Sequence, residues 1–146
     1  EREFYISGDA FVKDWIIKVR NDVPDAPVLV TAGGLLHYFE ENKVISLLRM
    51  IGQSGNMEVV FDTVNKKGMA MMQKKYMKQV GHADAQMFFY VDAAKELAAK
   101  IRGNVKVIAE EPYYRYIPKN GLKLSTKVSM AVSDQFKMVK MIHLKL

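Results

Sequence analysis

The sequence predicts an α/β fold. Two runs carry that expectation: Phe4 to Phe11, and Pro27 to Glu41. Each reads as an apolar strand that stops at a small or acidic residue and turns into a helix. A third observation is that strand-like and helix-like stretches keep alternating to the C-terminus, in the order β-α-β-α-β-α-α-β-α-β. In open sheets built this way, ligands bind where strands end and helices begin.

The elements follow in chain order. Val12, Trp15, Ile16 and Val19 recur at i, i+3, i+4 and i+7, so an amphipathic helix follows Asp9. Asn21 to Pro27 holds two prolines and two aspartates and reads as a loop. Val28 to Val30 is a strand without polar alternation, as expected when both faces are covered. Glu40 and Glu41 then occupy the first turn of a helix, where carboxylates favour the positive dipole end. Its stripe is Val44, Leu47, Leu48 and Ile51, and it ends near Gly52 to Gly55.

Met57 to Phe61 is the next strand, closed by Asp62. The Lys- and Met-rich stretch from Asn65 to Gln79 reads as helix, followed by a break at Gly81 and His82. Asp92 is placed to N-cap a helix whose face is Ala94, Leu97, Ala98 and Ile101, with Gly103 at its end. Val105 to Ile108 is a strand, Leu124 to Gln135 a helix, and Met138 to Leu146 a final strand.

Composition bounds the rest. The 146 residues fit one domain, 49% are apolar, and no run approaches the ~20 apolar residues a membrane span needs. There is no cysteine, hence no disulfide and no thiolate zinc site, which favours the cytosol. Net charge is +6, with much of the excess late: Lys119, Lys123, Lys127, Lys137, Lys140 and Lys145 face one acid, Asp134. Such a stripe can attract nucleic acid or acidic lipid. Scattered lysines are more commonly a solvated surface, and neither nucleic acid nor membrane is the expected partner.

Several residues could carry chemistry, each with a plainer reading beside it. Asp9, at a strand end, suits a ligand donor and equally a helix cap. Gly33 and Gly34 let backbone approach a ligand, or simply make a tight turn. Tyr38 and Asp62 could orient a substrate, or serve as packing and turn residues. Arg115, among Tyr113, Tyr114 and Tyr116, could hold a carboxylate bidentately. Met69 to Met72 and Met87 to Tyr90 could wall an apolar acceptor pocket, with helix core the plainer reading. His37, His82 and His143 show no metal-ligand spacing, so no metal is expected.

Taken together, Ala32-Gly33-Gly34-Leu35-Leu36-His37-Tyr38-Phe39, then Glu40-Glu41, then Val60-Phe61-Asp62, with Asp9-Ala10-Phe11 and Asp14-Trp15-Ile16 upstream, resemble a class I S-adenosylmethionine-dependent methyltransferase. The likeness is to the leucine carboxyl methyltransferase and polyketide O-methyltransferase family, over nearly the whole chain. It implies a Rossmann-like sheet of strand order 3-2-1-4-5-7-6, the last strand antiparallel. Residues 1–146 would supply a partial domain, from the third strand onward, lacking the first two strands. Its missing N-terminal portion then counts as a partner.

The resemblance also implies a function: S-adenosylmethionine as cofactor, a small-molecule or peptide carboxylate as methyl acceptor, and a cytoplasmic setting. Asp9 and Ala10 would meet the adenine. Thr31, Ala32, Gly33 and Gly34 would lie beside the cofactor, and Tyr38, Asp62 and Arg115 beside the acceptor. The family's glutamate is replaced by Gly33, and a fragment of this kind is expected to bind cofactor poorly. Two alternatives stay open: a non-catalytic module using the basic C-terminal surface, and a degenerate methyltransferase.

Overall fold

Four strands organise the chain: β1 (Val28–Ala32), β2 (Met57–Val64), β3 (Lys106–Pro112) and β4 (Val139–Lys145). The computed structural model describes residue 3, residues 5–76 (Lys75 and Tyr76 by backbone only) and residues 86–146. The expected break at Gly81 and His82 lies outside them. The sheet order is β1-β2-β4-β3. β1 runs parallel to β2, and β4 is inserted antiparallel between β2 and β3. This is the Rossmann-like α/β arrangement expected of the last four strands, with the final strand reversed.

The helices are α1 (Asp14–Asp22), α2 (Glu41–Gly52), α3 (Lys66–Met71), α4 (Ala94–Ile101) and α5 (Leu124–Gln135). A 3-10 turn covers Leu36–Tyr38, and a π turn over Met72–Tyr76 extends α3. On α2 the stripe Val44, Leu47, Leu48 and Ile51 is buried as its spacing requires. Ile16 of α1, that stripe, and Ala94, Leu97 and Ile101 of α4 share one core with Met57, Val59, Phe61, Ile142 and Leu144 of the sheet.

Only one face of the sheet is covered this way. On the other, Leu29 is 57% and Ile108 51% exposed, while Glu58, Val60, Asp62, Met141 and His143 are half-buried. The expectation that β1 is covered on both faces is therefore corrected. The strand expected to end at Gly8 is also not formed: Tyr5 to Ser7 join no ladder, and Tyr5 is 94% exposed. A lone segment without adjacent strands gains no ladder bonds, so its apolar residues do not suffice.

β2 continues past the expected end at Phe61 to Val64, so Asp62 lies inside the strand, opposite Met141 of β4. Asp92 does not cap α4, whose N-cap is Ala93. Its carboxylate instead accepts from Lys66 N at 2.9 Å, at the start of α3. The first amide of α4, Ala94 N, donates to Glu110 Oε2 at 3.1 Å. Arg49 closes the other end, donating to the Ile101 and Lys100 carbonyls at 2.8 and 2.7 Å.

Lys140, expected on a solvated basic stripe, is 1% exposed. Its ammonium donates to Glu110 Oε1 and to the Asp92 carbonyl, each at 2.7 Å. Burial alone would raise the Glu110 carboxyl's pKa; the Lys140 ammonium and Ala94 amide outweigh it and hold the carboxyl below its ordinary value. A bulge at Val107/Ala109 sets the β3 register, leaving Glu110 opposite Ile142 on the covered side.

Two outcomes follow. A folded-state pKa below the unfolded one stabilises above the ordinary carboxylate range, and this is lost as pH falls through the depressed value. Glu110→Gln should flatten that acid limb in denaturant melts. It should also cost about 2–3 kcal/mol near neutrality, at or below the range for fully buried pairs because Glu110 is partly exposed. Gly68 is packed against the Met138 carbonyl so closely that a Cβ would overlap its oxygen and sit 3.1 Å from its carbon. Gly68→Ala should therefore destabilise by roughly 1–3 kcal/mol in urea unfolding.

Candidate functional site

At the free edge of β1 the chain closes a cavity of about 280 Å³. Its deep walls are core side chains, Leu36, Leu48, Ile51 and Val59, each 1% exposed. Its outer walls are Ile6, Gly8, Ala10, Trp15, Thr31 and Leu35. Ala10, Thr31 and Ala32, three residues that the sequence marks for ligand binding, thus line one space. The turn before α1 and the tip of β1 open toward the same side.

Short-range chemistry holds the turn there. Asp9 Oδ1 accepts from Phe11 N at 2.9 Å and Asp9 O from Val12 N at 3.1 Å, an Asx-type turn. Asp9 is not the cap of α1, which begins at Asp14 with Lys13 as its N-cap. The Trp15 indole N–H donates to Ala10 O at 2.9 Å. Phe11 stacks edge-on against Phe39 at 4.5 Å, with Lys43 Nζ 4.3 Å from the Phe11 ring centre. Trp15 is the cavity residue that the helical stripe hides: its spacing marks a core position, and its N–H shows the second role.

After β1, Gly33 and Gly34 differ. Gly34 has φ +64, which a side chain rarely tolerates, and its N–H donates to Asp62 Oδ1 at 2.6 Å. Gly33 has no such constraint, and a Cβ there would meet nothing within 4 Å. The Asp62 carboxylate therefore pins the loop leaving β1 and lies one position past Phe61, the partner of Ala32.

His37 follows, 6% exposed, its Nδ1 without a hydrogen-bond partner among the described residues. Burial lowers its pKa, and the Asp62 carboxylate opposes that shift. The His37 carbonyl accepts from Phe88 N at 2.8 Å, fastening the segment before α4 to the β1 tip. Tyr38 is 39% exposed with its ring 4.5 Å from that of His37.

Arg115 is not brought to this cluster. It follows β3, and β4 separates β3 from β2 and Asp62. The exposed guanidinium pairs with Glu111, which raises its pKa. Met87 and Phe89 are buried while Phe88 is exposed, so the aromatic run is an alternating strap over the core and not a helix. Among the described residues, no group of His, Asp and Glu is placed to hold a metal, and no helix is long and apolar enough to cross a membrane.

No protein-family model matches the chain, and no curated protein matches it in sequence. Among solved structures it is similar to a DUF574 family protein from Streptomyces avermitilis MA-4680, with a TM-score of 0.63 and 10% identity. The match covers 97% of this chain and 54% of that one, so the chain spans about half that structure's length. The two share the α/β fold.

Proposed function

We propose that the chain is the C-terminal part of an S-adenosylmethionine-dependent O-methyltransferase domain, acting on a carboxylate of a small molecule or peptide. The observation that carries this reading is the single cavity joining Ala10 to Thr31 and Ala32. Apolar walls with an indole suit a flat heteroaromatic base. Asp9 precedes the lining residue Ala10 without lining the cavity itself; neither Asp9 Oδ2 nor Ala10 N has a hydrogen-bond partner among the described residues, an acceptor and a donor left for the base edge. Among the described residues, no carboxylate lines the cavity for a ribose diol. The residues present fit the nucleobase end, and a completing N-terminal portion of the domain is proposed for the rest.

When bound, the cofactor supplies an electrophilic methyl group on a sulfonium. The chain's own part is to orient: Asp9 and Ala10 hold the base, Thr31, Ala32, Gly33 and Gly34 flank it, and Asp62 fixes the Gly34 loop. Tyr38 and Asp62 face the acceptor, while Arg115, paired with Glu111 beyond β4, takes no part. In-line displacement gains much of its rate from alignment, so the reading requires no acid–base dyad.

An NMR titration tests this with adenosine, which carries the base that the cavity is proposed to take. Millimolar adenosine should shift the amides of Ala10, Thr31 and Ala32, and Asp9→Ala should weaken that response about fivefold, one hydrogen bond's worth. Shifts confined to other surfaces, or none, sink the reading. Because a side chain at position 33 meets open space, Gly33→Glu should leave stability within about 0.5 kcal/mol and tighten adenosine binding. Unchanged binding in that variant would place the cofactor elsewhere.

A further inference from the structure

The outward face of α5 is its apolar face. Leu124, Val128 and Val132, at i, i+4 and i+8, are 77%, 53% and 46% exposed, and Phe136 extends the line at 62%. Ala131 between them is exposed too. The inward face rests on Met130 and Ser133, 7% exposed each. This inverts the usual arrangement, in which a surface helix turns its apolar stripe to the core.

We propose that this face pairs with the same face of a second copy of the chain, the two α5 helices antiparallel. The stripe is symmetric about residue 130. A two-fold axis there sets Leu124 against Phe136 of the second copy and Val128 against its Val132, so each copy presents what the other needs. Ala131 near the centre allows close approach. Charge fits the same register. Lys127 and Asp134 lie seven residues, or about two turns, apart and so occupy one flank of α5. Antiparallel self-pairing sets like flank against like flank, bringing Lys127 beside Asp134 of the second copy, twice per dimer.

Lys127 has no ion-pair partner among the described residues, and the Asp134 carboxylate accepts from Tyr114 N through Oδ1. The opposite flank is neutral, with the Ser129 hydroxyl satisfied by Ser125 O at 2.9 Å. One stripe about 18 Å long is smaller than a standard interface, so association is weak, with a Kd of roughly 10–1000 micromolar.

Sedimentation equilibrium of the chain over that range should show reversible dimerisation, and Val128→Asp, at a half-exposed position, should abolish it with the helical signal unchanged. Lys127→Glu should weaken the dimer about three- to tenfold, and its equimolar mixture with the unaltered chain should fall between. Raising salt from about 20 to about 500 mM should weaken the unaltered dimer and strengthen that of Lys127→Glu. A chain that stays monomeric throughout overturns the proposal, as does a dimer indifferent to Val128→Asp. A dimer indifferent to Lys127→Glu overturns the antiparallel register. Monomers whose Val128→Asp variant loses only binding to phosphatidylserine vesicles would show a lipid surface instead.

Discussion

One buried cation ties this structure together. The Lys140 ammonium sits where water cannot reach it, and a charge so placed is tolerated only when it is paired and hydrogen-bonded. Its partners come from two parts of the chain, Glu110 on β3 and the Asp92 carbonyl before α4. Each partner then does a second task, Glu110 at the first amide of α4 and Asp92 at the first amide of α3. The inserted strand, the outer strand and two helix starts are thereby held by one connected set of bonds. Lys140 is the member that depends on it most: without Glu110 its ammonium would be left buried with the Asp92 carbonyl alone.

The same network reaches the candidate site through the backbone. Asp92 follows the strap from Met87 to Val91, whose Val91 amide bonds to Val64 O and whose Phe88 amide bonds to His37 O. His37 in turn follows the loop that Asp62 pins at Gly34. The tips of β1 and β2 and the strap therefore form one rim. Placing the loop after β1 depends on contacts from two later segments, β2 and the strap, which is why a short β-α turn keeps a defined shape beside an open edge.

Much of the architecture was legible in the sequence. Helix spacing marks α2 through Val44, Leu47, Leu48 and Ile51, and α5 spans the residues its pattern marks, Leu124 to Gln135. What escaped reading is mostly long-range polar pairing. Lys140 looks like one more surface lysine, yet it shares parity with Ile142 and Leu144, the buried side of β4. That two-residue phase was the available signal. Asp92 has the right residue type and position for a cap, but its carboxylate is drawn to a helix start that is distant in sequence. The cavity was foreshadowed only in part, because Trp15 reads as core by period. The single-sided sheet was legible in part: the apolar run of β1 hides it, but Glu58 and Asp62 of β2 and His143 of β4 fall at two-residue spacing on the open face.

That single-sidedness shapes the candidate site. Among the described residues β1 is hydrogen-bonded on one side only, to β2, and the cavity lies against its other side. Ile6, Gly8 and Ala10 run over this open side and form the outer wall, held by the Asp9 turn, the Trp15 indole and the Phe11–Phe39–Lys43 stack. Any strand that paired with the free edge of β1 would have to pass beside Ile6 and Gly8. Edge pairing and cavity shape are therefore linked by geometry: whatever covers β1 also resets the outer wall of the space facing Ala32.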